Sequence, residues 1–255
     1  LADPSETISG KHAVLAALRG GRRVRHVFLL RGLEQAAQRE IAALAAERGA
    51  GVSVVERDWL DARSGRARHQ GVLAEAVPLR YADLRDLLAG VREGETPLIL
   101  ALDQVQDPHN LGAIIRAGAA AGAHGAIVAE RRSAGLSPGT LKAAAGAAEW
   151  FPIARVTNLG RALEDLKGHG LWVAGADASA ETPFWEADLA RPLVLVIGGE
   201  DRGLGRLIGR MCDYLVRIPM QGDMPCLNAS VAAGILLFEA VRQRNRVAAA
   251  QVDVP

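Results

Sequence analysis

From Pro97 onward the chain alternates continuous apolar runs with helical stretches, and no other feature narrows its possible folds so far. The runs are LILALD (98–103), GAIVAE (125–130), FPIARV (151–156), LWVAGA (171–176), LVLVIG (193–198) and YLVRIP (214–219). Apolar residues fill successive positions rather than alternate ones, as in strands buried on both faces. Helical runs are expected near 110–122, 138–147, 159–168, 203–212 and 228–244. Strand and helix in turn imply an α/β domain, a parallel sheet covered by helices on both sides. Ligands of such sheets bind outside the carboxyl ends of the strands, so the residues following each strand matter most.

The front of the chain repeats the alternation on a smaller scale. Residues 11–19 read as a short amphipathic helix ending near Gly20-Gly21, 26–30 as a strand and 33–48 as an Ala/Leu-rich helix. VSVVE (52–56) and GVLAEAV (71–77) read as further strands. The expected organisation is a small α/β domain at 6–77, a linker at 78–96 with a short helix (82–89), and the larger domain at 97–246. Net charge is only +1, yet residues 1–80 hold 13 Lys and Arg against 9 Asp and Glu, while residues 81–255 hold 17 against 20. A basic front part points to an acidic partner handled there; a solvated surface with a chance imbalance reads equally well from charge alone.

Other features exclude classes. No apolar stretch reaches the length of a membrane span, and LADPSETISG lacks the charged head and apolar run of a signal peptide. The two cysteines, Cys212 and Cys226, make no CxxC pattern and suit a reducing compartment, so a cytoplasmic location without membrane partners is expected. Histidines 12, 26, 69, 109, 124 and 169 have no metal-ligand spacing, and no metal is expected.

Three strand-end segments carry the chemistry. After 98–103 comes QVQDPHNLGAIIRAGAAAGA, where Asn110 is a good N-cap. Arg116 stands six residues on, about 240° around a helix, so the two converge only if Asn110 belongs to the preceding loop. After 193–198 comes GGEDRGLG: Gly198 and Gly199 permit close backbone approach, and Glu200 sets a carboxylate at the strand's exit. This run fits neither GxGxxG nor GxxxxGK[ST], and QVQDPHNLG after the first strand lacks the GxGxxG that a nicotinamide-binding fold would need there. After 214–219 comes MQGDMPCLNASVAAGILLFEA, in which Met220, Met224 and Leu227 could line an adenine site and Asn228 or Ser230 opens a long helix. Taken singly, each segment reads equally well as a cap or a turn.

Taken in order, NLGAIIRAG, IGGEDRG and IPMQGDMPCLNASVAAGI resemble the three motifs of the TrmH-type branch of the SPOUT methyltransferases, most closely the bacterial 23S rRNA guanosine 2′-O-methyltransferases that act on the P-loop of the peptidyl-transferase centre. GKHAVLAALRGG, RRVRHVFLL and RHQGVLAEA similarly resemble the L30e-like substrate-binding domain of that group, so the likeness spans nearly all of residues 8–245. It implies a C-terminal α/β domain with a deep trefoil knot, a small N-terminal L30e-like α/β domain, and S-adenosyl-L-methionine as methyl donor. It further implies 23S rRNA as substrate, with tRNA or a non-catalytic RNA-binding role as alternatives, and a homodimer through the knotted domain. By position, Asn110, Arg116, Glu200 and Asn228 match catalytic residues. Gly198, Ile218 and Leu227 match the cofactor pocket, to which Gly199 and Met220 are added as neighbours. Arg19, Arg22, Arg23, Arg25, Arg66 and Arg68 are the expected RNA contacts. One departure stands out. The third motif of the family reads Ser-Leu-Asn, and here Cys226 takes the serine position, where it is expected to be a small buried side chain.

Overall fold

The computed structural model describes residues 5–65, 68–200 and 203–252. These divide into two compact units: one runs to Arg80 and includes Ala145–Trp150, and the other comprises Tyr81–Ala144 and the chain from Phe151.

The first unit orders β1 (Glu6–Ser9), α1 (Lys11–Arg19), β2 (Val24–Leu30), α2 (Gln35–Glu47), β3 (Gly51–Val55), α3 (Arg57–Arg63) and β4 (Val72–Ala76). Its sheet runs β1-β4-β2-β3, with β4 antiparallel to both neighbours and β3 parallel to β2. In α1 the buried Val14, Leu15, Ala17 and Leu18 form one stripe, which joins Val27, Leu29, Ile41 and Ala74 in the core.

Arg22, expected on the RNA-facing surface, belongs to this interior instead. Its side chain is 3% exposed. Nη2 meets Glu6 Oε2 at 2.5 Å, Nη1 meets Glu149 Oε1 at 3.1 Å, and Nε donates to the Val77 carbonyl at 2.8 Å. A charged group taken from water needs such partners, and Glu149 arrives from a distant stretch of sequence. Burial pushes the Glu149 carboxyl above the usual range, while the Arg22 charge opposes that rise. Of the other candidates, Arg19 is exposed and paired with Glu40 at 2.6 Å. Arg23 and Arg68 are exposed and Arg25 is half-buried, whereas Arg66 lies outside the described residues.

The second unit orders α4 (Leu84–Ala89), β5 (Leu98–Asp103), α5 (Pro108–Ala120), β6 (Gly125–Ala129), α6 (Pro138–Ala143), β7 (Ile153–Val156), α7 (Leu159–Gly168), β8 (Trp172–Ala176), β9 (Leu193–Gly198), α8 (Arg206–Met211), β10 (Tyr214–Val216) and α9 (Ala229–Val252). Its six strands are all parallel, in the order β10-β8-β9-β5-β6-β7. β5 and β9 run in register from Leu98↔Leu193 to Asp103↔Gly198 at the centre, and all of β5 is buried. The chain leaves the sheet centre at β9 for the edge at β10, then returns as α9 to pack on α5 and β9, a return of the kind a threaded C-terminus needs. No helix among the described residues is long and apolar enough to cross a membrane.

Local chemistry accounts for the shifted boundaries. Within 78–96, expected as a linker, the segment around α4 is packed against the second sheet: Ala82 bridges Ala154 and Leu87 is fully buried. The helix expected over 138–147 stops at Ala143 because Ala145 (φ 49) and Gly146 (φ 89) turn left-handed. The strand expected over 214–219 stops at Val216, since Arg217 pairs with the 182–184 segment (Arg217 N to Thr182 O 3.0 Å, Phe184 N to Arg217 O 2.9 Å).

Candidate active site

Two of the polar site residues, Asn110 and Asn228, are placed by helix starts. At α5 the cap is Asp107, whose Oδ1 accepts from the His109 N–H at 2.9 Å, and Pro108 occupies the first turn. Asn110, expected as the cap, therefore lies inside that turn, buried to 7% exposure. At α9 the preceding residue is Asn228, and its Oδ1 accepts from Ser230 N at 2.9 Å and Ser230 Oγ at 2.6 Å. Capping uses only the oxygen and leaves the Asn228 amide to donate elsewhere.

That amide donates to Asn110 Oδ1 at 2.9 Å and to Glu200 Oε1. Asn110 Nδ2 donates to the same Glu200 oxygen at 2.6 Å. Asn110, Glu200 and Asn228, singled out from three separate segments, thus form one closed triangle. Glu200 reaches it because two glycines let backbones cross. A Cβ on Gly198 would stand 2.2 Å from the Gly203 carbonyl carbon, and one on Gly199 would stand 2.4 Å from the Gln104 carbonyl oxygen. Side chains larger than hydrogen cannot fit there. Asp103, 6% exposed at the end of β5, accepts from Gly205 N at 2.7 Å and ties the start of α8 to the centre of the sheet.

Two cavities meet at Glu200, both outside the carboxyl ends of the strands. The first, of about 320 Å³, is lined by Gly198, Gly199, Ile218, Met220 and Leu227, as expected at a cofactor pocket, whereas Met224, expected beside them, is exposed and does not line it. The second, of about 620 Å³, is polar, with Gln104, Gln106, Asp107, Asn110 and Arg132 in its wall. Gly199, Glu200, Gly203 and Ala229 line both.

Three findings depart from the sequence reading. Asp177, Ala178 and Ser179 line the first cavity; they follow β8, and the strand-end rule applied to that strand would have found them. Cys226 is exposed and faces the same cavity, not buried as expected, because its loop precedes α9 without packing into the core. Cys212 is the half-buried cysteine, and burial pushes its thiol up to about 12. Arg116 does not join the triangle. It is exposed on α5 and lines neither cavity, since Asn110 sits within the helix and six residues carry Arg116 about 240° away.

A pocket of apolar and glycine backbone edges next to a polar cavity, with an amide–carboxylate cluster on the shared wall, can hold two substrates against each other. Known proteins agree in sequence and in fold. Residues 97–238 match the SpoU rRNA Methylase family, and residues 7–82 match the family described as RNA 2′-O ribose methyltransferase substrate binding. The chain is 45% identical over 244 residues to the 23S rRNA (guanosine-2′-O-)-methyltransferase RlmB of Pseudomonas syringae, covering 94% of this chain and 96% of the relative. It is 43% identical over 241 residues to the putative TrmH family tRNA/rRNA methyltransferase YacO of Bacillus subtilis, covering 94% and 96%. Among solved structures, the AdoMet-bound rRNA methyltransferase from Sinorhizobium meliloti superposes with a TM-score of 0.78 at 31% identity, over 93% of this chain and 87% of that one. The SpoU methyltransferase AviRb from Streptomyces viridochromogenes, in complex with AdoMet, gives 0.80 at 28% identity, over 95% and 91%. With a sheet domain and a front domain that both match, the chain belongs to the SpoU rRNA methylase family.

Proposed function

We propose that this protein transfers a methyl group from S-adenosylmethionine to the ribose 2′-oxygen of a guanosine in 23S rRNA, in the P-loop of the peptidyl-transferase centre. The observation that carries this reading is Glu200 on the wall shared by an apolar and a polar cavity, held there by the amides of Asn110 and Asn228. The apolar cavity, at about 320 Å³, falls within the range of small-molecule sites. Ile218 and Leu227 offer apolar faces to a purine, and Gly198 keeps side chains out of its way. The bound cofactor supplies a sulfonium methyl, already activated, so no metal is required.

The chain's own task is to orient the 2′-hydroxyl and manage its proton. The triangle fixes the rim where the two cavities join. Arg116 is unsuited to act as a literal base, because deprotonating a guanidinium at pH 7 costs about 8 kcal/mol. It stabilises the developing oxyanion and anchors an adjacent RNA phosphate, and that phosphate accepts the proton. Its exposed place on α5 suits delivery to the site of a second copy, so we assign a homodimer through the C-terminal domain. Similarity to rRNA-modifying relatives favours a cytoplasmic enzyme with the basic front domain on RNA.

The test is calorimetric titration with S-adenosylmethionine followed by labelled methyl transfer to a 23S rRNA transcript. Arg116→Ala is expected to lower transfer by about 10²–10³-fold with cofactor affinity unchanged. A variant that methylates at the wild-type rate overturns the assignment of Arg116. Absence of cofactor binding by the wild type overturns the whole reading.

A further inference from the structure

Gln104 (φ 60) and Arg132 (φ 59) are two of the four non-glycine residues described with positive φ, and both line the polar cavity. Such a conformation costs on the order of 1–3 kcal/mol and persists only where the surroundings hold it. For Gln104 the fold supplies a reason: its carbonyl lies where Gly199 crosses, at the exit of β5. For Arg132 the loop is pinned on either side, with Glu130 N donating to Val156 O and Ala134 N to Val105 O, both at 2.8 Å. Those two bonds bracket the turn. The Arg132 side chain itself is exposed and has no ion pair or hydrogen bond among the described residues.

The rest of the cavity wall sharpens what this cation could meet. Asp107 already caps α5, and one oxygen of Glu200 already accepts from two amides. Arg132 is the one cation among the described lining residues. No described residue uses its five donors, and a guanidinium matches a phosphate bidentately.

We infer that Arg132 anchors an RNA phosphate beside the target nucleotide, holding the ribose against the wall shared with the cofactor cavity. This rests on the methyltransferase reading and adds a substrate-positioning residue to it. Sequence reasoning passed over Arg132 because nothing in RRSAG (131–135) reveals that one arginine is turned left-handed toward a cavity.

The experiment measures binding of a fluorescent 23S rRNA transcript across about 50–200 mM salt, alongside calorimetric affinity for S-adenosylmethionine. Arg132→Ala and Arg132→Gly are compared with the wild type and with Arg131→Ala. Glycine adopts φ near 59 without strain, so Arg132→Gly is expected to melt no lower than the wild type and serves as the folded control. Both Arg132 variants should bind RNA about tenfold more weakly and lower the salt slope by about 1, as for the loss of one phosphate contact. Arg131→Ala and the cofactor affinities should not change. If either Arg132 variant keeps wild-type affinity and slope, the anchor is overturned. It is equally overturned if cofactor affinity falls as far as RNA affinity, because Arg132 would then act through the other cavity. A wild type that binds no cofactor defeats the methyltransferase reading instead, and the salt slopes keep the two failures apart.

Discussion

Two polar clusters, one in each unit, are built to opposite ends. In the first unit Arg22 spends its donors on Glu6, Glu149 and the Val77 carbonyl, with 3% of its side chain exposed. In the second, Asn110, Glu200 and Asn228 satisfy one another at the mouth of two cavities and leave acceptor capacity on Glu200 facing outward. The first cluster is closed to ligands and fastens residues 145–150 into its unit. The second is open and has something to offer a substrate. Charge and residue type do not separate the two cases, since an arginine in a basic run turned out to be interior. What separates them is whether donors and acceptors remain unspent at a solvent-reachable wall.

The comparison is broken most forcefully at Arg22. Arg22→Ala strands the buried Glu149 carboxylate and removes the partner of the half-buried Glu6, and is expected to cost about 3–5 kcal/mol, read from denaturant unfolding, with RNA affinity of the folded fraction unchanged. Loss of RNA binding at full stability would show that Arg22 serves the ligand after all. Asn228 comes next, because it holds both roles at once. Asn228→Ala should lose about 1 kcal/mol of helix capping together with methyl transfer. Asn228→Ser retains a capping oxygen but has no amide for Asn110 and Glu200, so stability should recover while transfer does not. Recovery of both would reduce Asn228 to a cap. The smallest effect is at the cysteines. In native protein at pH 8 one thiol, Cys226, should react quickly with a thiol reagent and be shielded by S-adenosylmethionine, whereas Cys212 should react only on unfolding. The Cys212 thiol is raised in the folded state by burial, up to about 12. Its contribution to stability is therefore full below the ordinary thiol range and is lost as pH climbs from there toward 12. Replacing Cys212 with Ala should flatten that alkaline decline.

How much of this could be read in advance follows the range of the interactions. β5, α7 and β9 fall where the apolar pattern puts them, because burial on both faces leaves continuous runs. β1 escaped notice: four residues paired only with β4 leave no periodic signature. Asn228 was legible as a cap from its neighbours, but its tie to Asn110 spans 118 positions and no local pattern encodes it. The same distance hid Arg22, whose partner Glu149 lies 127 residues away. The likeness of three ordered segments stood in for that missing long-range information. It did not place Arg116, which is exposed on α5 away from the other three, and the burial expected of Cys226 from its size gave way to an exposed loop.

The double duty of Asn228 also sets an order in time. The residue that starts α9 completes the amide triangle, and the wall of the first cavity runs on to Ala232 within that helix. While a ribosome is still making this chain, Asn110 and Glu200 can be present without the closed triangle, since its third member has yet to emerge. Competence therefore arrives in one step, when the last helix docks. A nascent or truncated protein ending before that helix would not compete with finished enzyme for cofactor.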